Sequence, residues 1–188
     1  MSAPAAFGLC LDLNVFLAAE LSKAAGRTES ASQVLVRYVE QGHAPLGPIQ
    51  LVISQGMLER LEARLLDRVG ITPEQATALV ATLAELARLG PARLGRILPL
   101  GSGVLPLRDA EDRGVLETAL AGKAHFLVTA NWRDFLFKDV EEVSPGRIAR
   151  YRDLILLHTE EAAGVLSRRR ELPTTLPHLL NRTRELPE

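Results

Sequence analysis

Phe7-Gly8-Leu9-Cys10-Leu11-Asp12-Leu13-Asn14-Val15-Phe16-Leu17 is the stretch that decides the fold. An apolar run stops at the carboxylate of Asp12. Apolar residues then resume at helical spacing, as Val15, Phe16, Leu17 and Leu21. A short run without polar alternation reads as a strand buried on both faces. Asn14 is suited to cap the helix that follows. A doubly covered strand feeding a helix is the unit of a parallel α/β sheet.

The unit recurs along the chain. Gln50 to Ile53, His125 to Thr129 and Asp153 to Leu157 are further strands, and Arg96 to Leu100 is a weaker one because Pro99 removes a ladder donor. Thr28 to Gln41 predicts a helix, with Val34, Leu35, Tyr38 and Val39 on its apolar side. Ser54 caps a helix to about Arg68 whose stripe is Met57, Leu58, Leu61, Leu65 and Leu66, and Gly70 breaks it. Thr72-Pro73-Glu74-Gln75 is a helix start with Thr as cap and Pro in the first turn. Asp109 or Asp112 opens a helix through Ala121, and Thr159 caps one to about Arg169. His43 to Pro48 is a Gly- and Pro-rich loop, and Asn131 to Phe137 a turn or short helix. The expectation is an α/β domain over residues 7–170, with a five-stranded, mostly parallel sheet and helices on both faces. A Pro-rich tail over residues 171–188, poorly ordered or loosely docked, is expected.

Composition agrees with one globular domain. The chain has 188 residues, 47% of them hydrophobic, and a net charge of −1, which excludes disorder and a general nucleic-acid coat protein. No apolar run approaches the roughly 20 residues that span a bilayer. Met1 to Gly8 lacks a basic leader region, so a cytoplasmic protein with no membrane partner is expected. Cys10 is the only cysteine, which excludes an intrachain disulfide and a cysteine zinc site. The cations are nearly all Arg, the exceptions being Lys23, Lys123 and Lys138. Arg suits bidentate phosphate contacts but is equally at home on a solvated face.

Ligands of open parallel sheets bind beyond the carboxyl ends of the strands. Asp12, Ser54 and Asn131 fall at such ends, and Asp112 lies at a helix start near the same edge. Carboxylates gathered in a cleft repel, and a divalent cation relieves that. Magnesium takes oxygen ligands and keeps several waters, so two or three carboxylates plus a substrate phosphate suffice. Each residue has a structural alternative. Asp12 could cap the next helix, Asp109 and Asp112 could answer a helix dipole, and Asp134 could cap Phe135 onward. Glu59 and Glu62 could be solvated residues paired with Arg neighbours. Trp132 could pack over the sheet edge rather than stack on a base. His43, His125, His158 and His178 lack metal-ligand spacing. No phosphate-binding glycine loop or nucleophile elbow occurs.

Three segments resemble the PIN-domain family of ribonucleases. Leu11-Asp12-Leu13-Asn14-Val15-Phe16 is similar to its opening D-x-N motif. Asp109-Ala110-Glu111-Asp112-Arg113-Gly114-Val115-Leu116-Glu117-Thr118-Ala119-Leu120 is similar to its acidic helix start. Ala124-His125-Phe126-Leu127-Val128-Thr129-Ala130-Asn131-Trp132-Arg133-Asp134-Phe135 is similar to its closing strand and the segment after it. The likeness covers about Phe7 to Arg169. It implies a three-layer PIN-like fold and Mg²⁺- or Mn²⁺-dependent cleavage of single-stranded RNA. It also implies a toxin of a toxin–antitoxin pair, with an antitoxin protein or a second copy of the chain as partner. Asp12 and Asp112 match acidic ligands, with Asp109 and Asp134 as further metal candidates. Asn14 and Thr129 match polar supports, and Asn131 stands at the fourth acidic position. The family's second acid falls on Arg60, with Glu59 beside it and Glu62 further along; Glu59 is the expected catalytic replacement. The alternative is a binding module for RNA or protein that keeps the fold and cleaves poorly. A haloacid-dehalogenase-like phosphatase would need an acid where Asn14 stands.

Overall fold

A computed structural model describes residues 6–90, 97–98, 110–174 and 176. Asp109 and most of the expected tail lie outside them. The elements run β1 (Phe7–Leu11), α1 (Leu13–Ala24), α2 (Ala31–Gln41), β2 (His43–Ala44), β3 (Gly47–Leu51), β4 (Ile53–Ser54), α3 (Gln55–Arg64), α4 (Pro73–Leu89), β5 (Ile97–Leu98), α5 (Ala110–Ala121), β6 (Phe126–Thr129), β7 (Glu141–Ser144), β8 (Ile148–Tyr151), β9 (Leu154–His158) and α6 (Thr159–Leu166).

The main sheet has seven strands in the order β2-β3-β1-β6-β9-β8-β7. Its centre, β3-β1-β6-β9, is parallel. Leu9, Cys10 and Leu11 stand opposite Phe126, Leu127 and Val128. All six are essentially inaccessible, as a strand covered on both faces requires. The α/β fold expected from the apolar runs is therefore the fold observed, with a larger sheet.

Two stretches depart from the sequence reading. His43 to Pro48 is a hairpin rather than a loop: β2 pairs with β3 antiparallel, with His43 opposite Pro48. Pro48 lies on β3 just before Ile49, where the pairing with β1 begins, so its missing donor does little harm. At the other edge β7 and β8 add an antiparallel pair that turns at Gly146, whose φ is 69°. The Ser-Pro-Gly turn there was a readable signal, but charged residues on both strands hide the apolar pattern. The Arg96–Leu100 strand is present as Ile97–Leu98, where it pairs with Ile53–Ser54 in a separate two-stranded sheet.

Capping follows chemistry more often than not. Ser54 accepts from the Met57 amide at 3.3 Å and opens α3. Thr72 and Gln75 form the reciprocal capping box of α4, with Pro73 in the first turn. Ser30 and Gln33 form another, so α2 begins later than expected. His158, not Thr159, caps α6, its Nδ1 accepting from Glu160. After Arg64 the helix widens into a π turn over Leu65–Val69, which carries Leu66 off the buried stripe to 40% exposure. Gly70 then ends the turn at φ 71°, where other residues are strained.

Candidate active site

Asp12 stands where β1 ends and α1 begins. Its own amide still belongs to the sheet, donating to Val128 O at 2.9 Å, while its carbonyl accepts from Val15 in the first helical turn. The side chain occupies the cap position without accepting a capping hydrogen bond. The Leu13 and Asn14 amides of the helix start still favour the ionised carboxylate, so capping accounts for part of its setting. Asn14, expected as the cap, is already helical, and its Nδ2 donates to Asp12 Oδ2 at 3.4 Å.

The firmer support comes from β6. Thr129 Oγ1 donates to Asp12 Oδ2 at 2.7 Å and accepts from the Asn131 amide at 2.9 Å. The amide sets the hydroxyl's direction, so the chain runs from backbone to Thr129 to carboxylate in one sense. Thr129 is fully buried and Asp12 is 3% exposed. Burial holds the Asp12 carboxyl above its ordinary range, opposed by the hydrogen bonds from Thr129 and Asn14. Cys10 is buried behind it and donates toward Val115 O at 3.9 Å; burial and the nearby Asp12 push its thiol up.

That last contact orients α5. The helix leads into the parallel strand β6, so it runs back across the sheet and begins at the carboxyl edge. Val115 lies against Cys10. One turn before it is Asp112, about 4.5 Å toward the helix start. Two residues beyond Cys10 is Asp12, about 6.6 Å in the same direction. Both carboxylates thus sit at the same edge, and both are buried, Asp112 being 6% exposed. They are the two aspartates among the described buried polar residues, and Ser54 and Thr129 share their edge.

The remaining acids do not join them. Glu59, the expected replacement for the second acid, is exposed and accepts from Gln55 Nε2 of its own helix at 3.2 Å. Glu62 accepts from Thr77 Oγ1 of α4 at 2.6 Å. Asp134 is exposed and accepts from the Asn131 side chain. Among the described residues no three His, Cys, Asp or Glu side chains form a group that could hold a metal ion. Of the expected Asp12, Asp112 and Glu59, the two aspartates are buried and Glu59 is exposed. Helical phase explains this: Met57, Leu58 and Leu61 turn inward, which leaves position 59 on the solvent side and position 60 at the border.

Arg60 holds that border, half-buried. Its Nε and Nη2 are buried and make no hydrogen bond to a described residue. A Cβ placed on Gly114 would meet Arg60 Nη2 at 2.9 Å, so the guanidinium lies directly on α5. Glu117, one turn further along α5, likewise buries an unpartnered Oε1. The sequence signal for Gly114 was available: an interior helical glycine costs about 1 kcal/mol against alanine and asks for a packing reason. Trp132 packs at the edge, donating to Glu142 Oε1 at 3.0 Å, and His125 accepts from the Gly8 amide at 2.9 Å. Both are the structural roles expected for them.

The architecture defines the class, a mixed α/β fold on a mostly parallel sheet. A family model described as PIN domain matches residues 8–133, well over half the chain, and the chain belongs to the PIN-domain family. PIN domains are generally nucleases and typically use divalent metals. No curated protein and no solved structure matches the chain. No described helix is long and apolar enough to cross a membrane.

The buried carboxylate carries a stability cost with a defined pH window. A folded-state pKa raised above the ordinary 3.8 means that the folded chain holds the Asp12 proton more tightly than the unfolded chain. Its contribution is favourable at acid pH and is lost as pH rises through the folded value. Asp12→Asn keeps an oxygen for Thr129 and removes the charge. It should be more stable than wild type at pH 7 by about 1 kcal/mol, with the gap closing as pH falls toward 4. Denaturant melts of both proteins from pH 4 to pH 8 measure this; a variant less stable at pH 7 would refute it.

Proposed function

We propose that the chain is a metal-dependent endoribonuclease of single-stranded RNA, with Asp12 and Asp112 holding Mg²⁺ or Mn²⁺. The observation that carries the reading is the Asp12 carboxylate, buried at the end of β1 and held by Thr129. The donor chemistry fits the cation. Carboxylate oxygens are hard ligands, and desolvation leaves Asp12 short of nearby positive charge, which a divalent ion supplies. Such an ion, when bound, acidifies a water and offsets charge on the phosphate under attack. The chain's own residues prepare for that. Thr129 and Asn14 hold the Asp12 Oδ2 oxygen. Burial excludes bulk water, which would otherwise weaken the carboxylate's interactions. Asp109 is the further carboxylate available next to this pair in sequence.

A second reading, a binding module that cleaves poorly, is favoured by Arg60. A cation stands where the family has an acid, and it opposes metal binding at that edge. The toxin role with its antitoxin partner, a homo-oligomeric state and a cytoplasmic location rest on the resemblance and on composition.

Circular single-stranded RNA tests the reading, because it has no ends for an exonuclease. With purified protein and Mn²⁺ or Mg²⁺ it should be cut to linear products. EDTA should stop the reaction and excess metal restore it. Cleavage that persists in EDTA removes the metal from the proposal. No cleavage with either ion moves the chain to the second reading.

A further inference from the structure

The carboxyl edge of the sheet continues past Asp12 and Thr129. Leu11 stands opposite Val128, Thr129 opposite His158, and Leu157 opposite Ile148. The register therefore sets Asp12, Thr129, His158 and Arg147 abreast, and the His158 amide donates to Arg147 O at 2.9 Å. Strands lie about 4.8 Å apart, so the His158 backbone is about 10 Å from that of Asp12, and Arg147 is one strand further. An open cavity of about 280 Å³ lies at this end of the row, lined by Gly146, Arg147, His158, Glu160, Glu161 and Arg170. That is room for a single nucleotide unit, at the small end of ligand pockets.

The lining groups carry defined chemistry. Arg147 is exposed and enters no side-chain hydrogen bond or ion pair with a described residue. His158 Nδ1 accepts from the Glu160 amide at 3.4 Å, which leaves Nε2 to carry the proton as a donor. Arg170 is laid across α6: a Cβ on Gly164 would meet its Cδ at 2.7 Å and its Cγ at 2.9 Å. From there its Nη1 donates to Glu161 Oε2 at 2.5 Å. Glu161 is 7% exposed, and Arg170 offsets its charge. Glu160 is exposed. The cavity thus offers accessible cationic and N–H donors together with one accessible carboxylate. A bare anion suits the first and is repelled by the second. A ligand with both a phosphate and a hydroxyl donor suits both, and a ribonucleotide has them, its 2′-hydroxyl being the donor.

We propose that this cavity is a subsite for one nucleotide of single-stranded RNA, displaced along the edge from Asp12. Arg147 and His158 take its phosphate, and Glu160 accepts from its ribose 2′-hydroxyl. This rests on the reading that the strand crosses the edge at Asp12. Affinity for the strand then comes partly from a site that needs no metal, and so does its preference for RNA over DNA.

The test is fluorescence anisotropy of labelled single-stranded RNA, and of DNA of the same sequence, with the full chain in EDTA, where nothing is cleaved. Wild type should bind RNA more tightly than DNA. Arg147→Gln should bind RNA about 5-fold more weakly, the upper scale of an exposed charge pair. Its log K against log salt should be shallower by about 0.7, as for one phosphate contact fewer on a single strand. Arg147→Lys should keep the slope. Glu160→Ala should narrow the gap between RNA and DNA. Arg152→Gln is the control, an exposed arginine in the β8–β9 turn at the opposite edge, and should bind as wild type. Unchanged affinity and slope in Arg147→Gln overturn the proposal. So does an equal loss in Arg152→Gln, which marks general charge attraction. Equal binding of RNA and DNA by wild type, or an unchanged gap in Glu160→Ala, overturns the ribose contact. Inorganic phosphate is titrated as competitor; displacement of the strand at equal concentration would make this a site for free phosphate and overturn the RNA assignment. The nuclease reading fails separately: Arg147-dependent binding without cleavage in Mn²⁺ sinks that reading alone, and cleavage with Arg147-independent binding sinks this one alone.

Discussion

Asp12→Asn and Asp112→Asn are each expected to lower Mn²⁺-dependent cleavage of single-stranded RNA by at least about 100-fold. That factor corresponds to about 2.7 kcal/mol of transition-state stabilisation, a modest share of what a cation at the reacting phosphate supplies. Asparagine preserves the shape and a hydrogen-bond acceptor but not the charge. Thr129 Oγ1 can still donate to residue 12, so the site's geometry survives while its affinity for a divalent ion falls. Thr129→Val is the graded control. It removes the hydroxyl that fixes Asp12 and the acceptor of the Asn131 amide, and leaves the carboxylate in place. A loss of about 10-fold is expected from such a supporting residue. Initial rates on the circular substrate across Mn²⁺ concentrations separate weaker metal binding from slower chemistry. Activity that survives both aspartate substitutions would assign the cleavage to other residues or to a contaminant.

The stability gain expected for Asp12→Asn and this loss of activity belong together. A site that desolvates a carboxylate to meet a cation is destabilised until the cation arrives. Adding Mn²⁺ should therefore stabilise wild type and leave Asp12→Asn nearly unmoved.

Much of this was legible because burial writes itself into sequence. Phe7–Leu11 and Phe126–Thr129 are covered on both faces, so their apolar runs have no polar interruptions, and the strand ends mark themselves with Asp12 and Asn131. Parallel topology then puts those ends at one edge without further information. The hairpins at the sheet margins were less readable. β7 opens on two glutamates and has no buried residue, and each strand spans only four positions, too few to show a period. At β2–β3 the Gly-Pro composition spoke for a loop, and edge position overrode it.

The candidate site shows a different boundary. Asp12 and Asp112 were legible as candidates because each is tied to an element end. Glu59 was harder to place because a helix border spans two neighbouring positions, and the inward turn of Met57, Leu58 and Leu61 decides which of them faces solvent. Arg60 takes the border position, and its packing against Gly114, 54 residues away, is information that no local pattern contains.

Phe126→Ala is expected to cost about 3–5 kcal/mol of folding stability, the usual range for emptying a buried phenylalanine site. Phe126 is fully buried in β6, with Leu9 of β1 and Ile155 of β9 opposite it in register. Its ring also meets Phe7, centroids 6.1 Å apart and tilted by 45°. Removing it opens space under the middle of the parallel sheet, where neighbours held on both sides by ladders have little freedom to collapse. Against a total of about 5–15 kcal/mol, the loss is a large fraction. The consequence for the site is separable. Side chains alternate along a strand, so Phe126 and Thr129, three positions apart, project from opposite faces of β6. The folded fraction of Phe126→Ala should therefore bind Mn²⁺ like wild type at low temperature, while its urea midpoint falls steeply at unchanged slope. Phe126→Leu, which keeps most of the volume, should fall far less. A loss below about 2 kcal/mol would show that the neighbours close over the cavity. Wild-type stability with weakened Mn²⁺ binding would show that β6 is not the rigid carrier of Thr129 described above.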